Sequence, residues 1–165
     1  MFLNYLRSAT EQDPQWLDIM QPLFDEGHDD VGIHIAILVE PYLQFILDGT
    51  KTVESRFSRN GCAPFERVGS GDVVLLKRQS GPIVGACAVS NVWNYRLTPS
   101  TLADIRMRFG PAIQPQTGFW EDRADAGFAT LMRVTDVRPL PEVDIPKRDR
   151  RGWVVLRDSR VPQLL

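Results

Sequence analysis

The apolar residues of this chain come in short runs, and nearly every run is bounded by glycine or proline. Ile33 to Val39 stops at Glu40-Pro41. Val73 to Leu76 begins after Ser70-Gly71-Asp72, and Ile83 to Val92 begins after Ser80-Gly81-Pro82. The prolines Pro139, Pro141 and Pro146 separate a run from Gly127 to Val137 from a last one, Gly152-Trp153-Val154-Val155-Leu156. β-Branched runs of this length, cut at turn residues, make strands, and the Ser80-Gly81-Pro82 turn joins two of them into a hairpin. Short strands that outnumber helices predict an α+β fold, a small β-barrel or strongly curved sheet with flanking helices. With 165 residues, 43% of them hydrophobic, the chain fits one compact domain.

Three helices are expected beside these strands. Trp16, Ile19, Met20 and Leu23 recur at helical spacing and predict one amphipathic helix from Thr10 to Phe24. Behind Pro41, the residues Tyr42, Phe45 and Ile46 share a face, and Gly49 is placed to end that helix in a left-handed conformation. Thr98-Pro99 reads as an N-cap with first-turn proline. Leu102, Ile105 and Phe109 form its stripe, and Gly110-Pro111 is the expected stop.

The charges are unevenly spread. Seven acids stand against Arg7 alone between Met1 and Asp30, while the rest of the chain carries 18 basic and 14 acidic residues. The net charge of −2 excludes a strongly basic nucleic-acid binder of the whole-molecule kind. Division at that point gives an acidic helical extension over 1–32, a body over 33–157 and a tail over 158–165. Cys62 and Cys87 lack zinc-knuckle or redox spacing and read as free thiols in a reducing compartment. No apolar run approaches membrane-spanning length, and the first residues resemble neither a secretory signal nor a transit peptide. A cytoplasmic protein without membrane attachment, cofactor or metal is expected; His28 and His34 read as structural histidines.

The most informative stretch is Gly49-Thr50-Lys51-Thr52-Val53-Glu54-Ser55-Arg56. A helix hands over to a strand there, and Thr52, Glu54 and Arg56 would project from one strand face, with Lys51 at the turn. Glu54 can accept from an exocyclic amine, and Arg56 can grip a phosphate or hold Glu54. Lys51, if desolvated beside Arg56, would become a base or nucleophile. Spacing alone favours a surface ladder of exposed ion pairs, each worth ~0–1 kcal/mol.

In its helix-to-strand setting, the stretch resembles the G-x-K-x-x-E-x-R signature of ASCH domains, named for homology to the activating signal cointegrator. The Ile33 to Val39 strand, the Gly71-Asp72 turn, the Thr98 to Phe109 helix and the Gly152 to Leu156 strand follow in that family's order, over about residues 33 to 157. The resemblance implies a PUA-like β-barrel whose cleft is lined by the signature residues and binds RNA or a nucleotide-like ligand. Some ASCH relatives are hydrolases, including amidohydrolases acting on acetylated cytidine. Lys51 matches that subgroup. Glu54 stands where it has threonine, however, and its later-helix glutamate is missing: between Thr98 and Trp120 the only acid is Asp104.

The resulting expectation is an RNA- or nucleotide-binding protein with Lys51, Glu54 and Arg56 around a base and phosphate. The alternatives are a hydrolase, either an amidohydrolase on N4-acylated cytidine or a ribonuclease, with Lys51 and Glu54 catalytic, and an interaction module whose acidic leader competes with anionic ligands. Secondary binding candidates are Trp93 and Tyr95, which could stack on a base, and Lys77 and Arg78, which could meet phosphate. Phe119 to Arg123 reads equally as a lid or as a loop tucked down by its aromatics. The basic run Lys147 to Arg151, continued by Arg157 and Arg160, is a candidate backbone-binding stripe.

Overall fold

The computed structural model describes residues 2–145 and 151–159. Its core is one six-stranded sheet curled into a half-barrel. The strands are β1 (Ile33–Leu38), β2 (Val53–Ser58), β3 (Val73–Arg78), β4 (Ile83–Arg96), β5 (Phe128–Val143) and β6 (Trp153–Arg157). They lie in the order β2-β5-β4-β3-β1-β6, with β1 and β3 parallel and the other neighbours antiparallel. Four helices flank the sheet: α1 (Phe2–Thr10), α2 (Pro14–Phe24), α3 (Tyr42–Leu47) and α4 (Pro99–Ile113). This is the α+β half-barrel with flanking helices that the strand punctuation predicted. No helix among the described residues is long and apolar enough to cross a membrane.

The leader makes two helices where one was expected. Asp13 accepts from the backbone N–H groups of Gln15 and Trp16, and Pro14 opens the new helix; this N-cap and proline pair starts α2 afresh and leaves α1 as a separate helix. Leu6, Trp16, Met20 and Leu23 bury themselves against Ile33, Ile35 and Leu75 of the sheet. The acidic residues face outward while the apolar face joins the core.

Three prolines expected to end elements also fail to do so, one in α4 and two in β5. α4 runs through Gly110-Pro111 to Ile113, because Gly110 has no Cβ to clash with the proline ring and one more turn fully buries Ile113. Gln114 ends the helix in the left-handed region at φ 59°. β5 runs through Pro139 and Pro141 because its ladder to β2 ends at Arg133, with one further bond from Val134 N–H to the Thr52 carbonyl, so at the prolines that edge of the strand faces no other strand among the described residues. Gly85 makes the close β4–β5 approach feasible: a Cβ there would sit 2.7 Å from the Arg138 carbonyl oxygen.

Candidate functional site

The helix-to-strand junction builds the site from both ends. Gly49, at φ 83°, turns the chain out of α3, and the Lys51 backbone N–H returns to the Phe45 carbonyl. Thr52 faces solvent, and its backbone is spent on Ala112 and Val134. From Val53 onward the strand alternates: Val53 and Phe57 join the apolar cluster under α4, while Glu54 and Arg56 point the other way. The expected half-exposed strand is more deeply placed than that, with Val53, Glu54 and Ser55 all buried. The reason is that α4 covers one of its faces.

Lys51, Glu54 and Arg56 meet at a cavity of about 520 Å³ between β2, the end of β1, Tyr42 and the Phe119–Arg123 segment. Lys51 is 2% exposed, donates from Nζ to the Ile113 carbonyl at 2.8 Å, and stands 5.4 Å from the Tyr42 ring centre. Burial, and then the positive charges of Arg56 and Arg123, pull its pKa below the ordinary lysine value, while Glu54 pulls it up. Glu54 is 7% exposed and stands between the cavity and the apolar barrel interior. Its Oε1 accepts from Arg56 Nε at 3.2 Å, and its Oε2 is buried without a hydrogen-bond partner among the described residues. The same desolvation and the Glu54 charge push the neighbouring Cys87 thiol up to about 12.

Arg56 does something spacing could not reveal. Its Nη1 donates to the Gly152 carbonyl at 3.0 Å and its Nη2 to the Ile37 carbonyl at 2.9 Å, and its guanidinium lies 5.3 Å from the Trp153 ring centre. Arg56 therefore ties β2, one edge of the sheet, to the β1–β6 pair at the other, across a seam that no ladder closes.

Sequence reasoning missed Arg123. It sits in the 3-10 turn Glu121–Arg123, donates to the Phe119 carbonyl and lies 3.6 Å above the Phe119 ring, lining the cavity beside Asp122. Phe119 and Trp120 are buried, so the segment is tucked down by its aromatics and also supplies the cavity wall. A basic residue one turn from two anchoring aromatics was the available signal.

The remaining candidates lie elsewhere. Trp93 packs on Phe109 under α4, with Arg108 and Arg133 near its ring, and Tyr95 joins the same cluster. Lys77 is buried at the β3–β4 turn and donates to the Gly81 and Arg78 carbonyls, and Arg78 faces Glu40. None of these four lines the cavity. Residues 146–150 and Arg160, most of the basic run, lie outside the described residues. Arg157 is engaged with the carbonyls of Leu23, His28 and Val31.

No family model and no curated protein matches the chain. Among solved structures it is similar to the ASCH protein of Zymomonas mobilis, with 15% identity and a TM-score of 0.60 over 76% of this chain and 87% of that one. Single-substitution variants of the same protein are similar too. A tyrosine-to-phenylalanine form has 14% identity, TM-score 0.60 and coverage of 77% and 91%; a serine-to-alanine form has 15%, 0.59, and 79% and 92%. The fold is that of an ASCH domain, as the resemblance of the Gly49 to Arg56 stretch implied.

Proposed function

We propose that the cavity binds a nucleotide-like ligand, with Glu54 reading a donor edge of the base and Lys51, Arg56 and Arg123 meeting carbonyl and phosphate oxygens. The observation that carries this is Glu54 Oε2: a buried carboxylate oxygen beside an open cavity, lacking the hydrogen bond that burial ordinarily demands. An exocyclic amine supplies that bond. The Lys51 ammonium donates once to Ile113 and keeps two N–H groups, so a base acceptor next to the amine would be matched. Three cationic side chains against Glu54 and Asp122 leave an anionic ligand favoured. A cavity of this volume is of the size class that holds small ligands.

Titration with CMP, AMP and UMP tests the reading. CMP and AMP are expected to bind at least about fivefold tighter than UMP, which lacks the amine, and Glu54→Gln is expected to erase that difference. A loss of affinity equal for all three bases would remove the base-reading role of Glu54.

A second reading, hydrolysis, is favoured by the lowered pKa of Lys51. As a neutral amine, Lys51 would take a proton from water as it adds to an amide carbonyl, with Glu54 carrying a proton to the departing nitrogen. The two readings have opposite pH slopes. Lys51 loses its proton below the usual lysine range, so binding to the ammonium weakens as pH rises through that value, whereas hydrolysis by the amine speeds up. Incubation with N4-acetylcytidine and with single-stranded RNA, with and without Lys51→Ala, decides it: no turnover, or turnover that the substitution leaves intact, rules the hydrolase out.

A further inference from the structure

A second, smaller cavity of about 140 Å³ shares two walls with the first, Arg56 and Phe57. Its other walls include Phe65, Phe128 and Trp153, with Phe65 and Phe128 edge-to-face at 4.9 Å between ring centres, and Cys62 at its rim. An aromatic slot of this kind offers any base a π-face to stack on and asks for no particular hydrogen bond. Between the two cavities stands a guanidinium that is already immobilised by the Gly152 and Ile37 carbonyls and by Glu54. Three of its five N–H groups are spent there, which leaves one on each Nη for an anion. Binding to a side chain already held in place costs little further ordering.

We propose that the smaller cavity is the subsite for a neighbouring base, so that the ligand is a strand of at least two nucleotides whose linking phosphate lies against Arg56. This rests on the reading of the larger cavity as a nucleotide site and extends it from a mononucleotide to a single strand. The larger cavity selects its base through Glu54; the smaller accepts any base by stacking. Phe57, packed on Phe119 and Trp120, is a wall common to both.

Cys62 provides a direct probe, because it is exposed at the rim of the smaller cavity while Cys87 is buried with its thiol pushed up to about 12. Affinities for CMP and for the dinucleotide CpC are measured on the whole chain, together with the rate of Cys62 alkylation by N-ethylmaleimide read by mass spectrometry. CpC is expected to bind about tenfold tighter than CMP and to slow alkylation of Cys62, while CMP leaves that rate unchanged. Ala63→Leu, which fills the smaller cavity from its wall, is expected to bring CpC down to the affinity of CMP and to leave CMP unaffected. Equal affinity for the two ligands, or tighter CpC binding that leaves Cys62 unprotected, overturns the second subsite while the larger cavity stands. If neither ligand binds, the nucleotide reading falls and takes the subsite with it.

Discussion

Asp72→Ala is expected to lower the unfolding free energy by about 3–5 kcal/mol, a large share of the ~5–15 kcal/mol that holds a domain together. The carboxylate is 2% exposed and accepts three hydrogen bonds: Gly32 N–H to Oδ1 at 2.8 Å, and Gly69 N–H and His34 Nε2 to Oδ2 at 2.8 and 2.9 Å. Trp153 donates its indole N–H to His34 Nδ1 at 3.2 Å, which places the ring hydrogen on Nε2 and makes His34 a donor to Asp72. Truncation orphans three donors, two buried and one half-buried, that belong to the start of β1, the ring that supports β6 and the turn before β3. Urea denaturation measures the loss. Asp72→Asn keeps an acceptor and is expected to lose less, and a loss under about 1 kcal/mol for the alanine variant would show that water replaces the network.

The acid limb of the stability curve follows from the same group. Desolvation works to raise the pKa of Asp72, but the hydrogen bonds from His34, Gly69 and Gly32 outweigh it and hold the value below the ordinary one. A carboxyl with a depressed folded pKa contributes fully above its unfolded value, about pH 4, and the contribution is lost as pH falls through the folded value. The wild type is therefore expected to lose stability more steeply below about pH 4 than Asp72→Asn does.

Arg56→Leu is expected to cost about 2–4 kcal/mol, somewhat below the figure for a fully buried pair because the Arg56 side chain is 20% exposed. It removes both tethers across the seam and leaves the Glu54 carboxylate without its cation. Adding Glu54→Gln to Arg56→Leu is expected to return part of the loss, since the uncompensated charge is then gone. Arg56→Lys is not expected to rescue, because one ammonium cannot present the fork that reaches the Gly152 and Ile37 carbonyls together. An unchanged melting temperature in Arg56→Leu would make Arg56 a ligand-gripping residue only.

Features set by neighbours in sequence were legible. The Pro41-to-Gly49 helix, the Thr98 N-cap, the hairpin at Gly81 and the strands on either side of it all depend on residues within a few positions, and they stand where the pattern put them. So does the ASCH fold, through a short junction. What escaped depends on partners far along the chain. Pro139 and Pro141 break a strand only if both of its sides are paired, and whether they are is decided by the length of β2. Pro111 reads as a stop until Ile113 is seen to need burial. Trp93 lies near the end of β4, yet which face it takes is fixed by α4. Lys51, Glu54 and Arg56 were readable as a cluster, but the carbonyls that engage Arg56 lie 19 and 96 residues away, and Arg123 comes to the cavity only through the packing of Phe119 and Trp120. Asp72 looked like a turn residue, and its three donors could not be read from its surroundings.

The seam has a consequence for synthesis. Among the described residues β6 is the last strand in chain order, yet it pairs with β1, the first, and Gly152 just ahead of it supplies one of the two carbonyls that Arg56 grips. Until residue 157 has left the ribosome, the guanidinium has only the Ile37 tether, and Trp153 is not yet beside it. A nascent chain can therefore fold its β3–β4 hairpin and α4 early, but it cannot finish the wall between the two cavities. The seam between the two edges of the sheet is therefore closed only when β6 has joined β1, whatever folds before it.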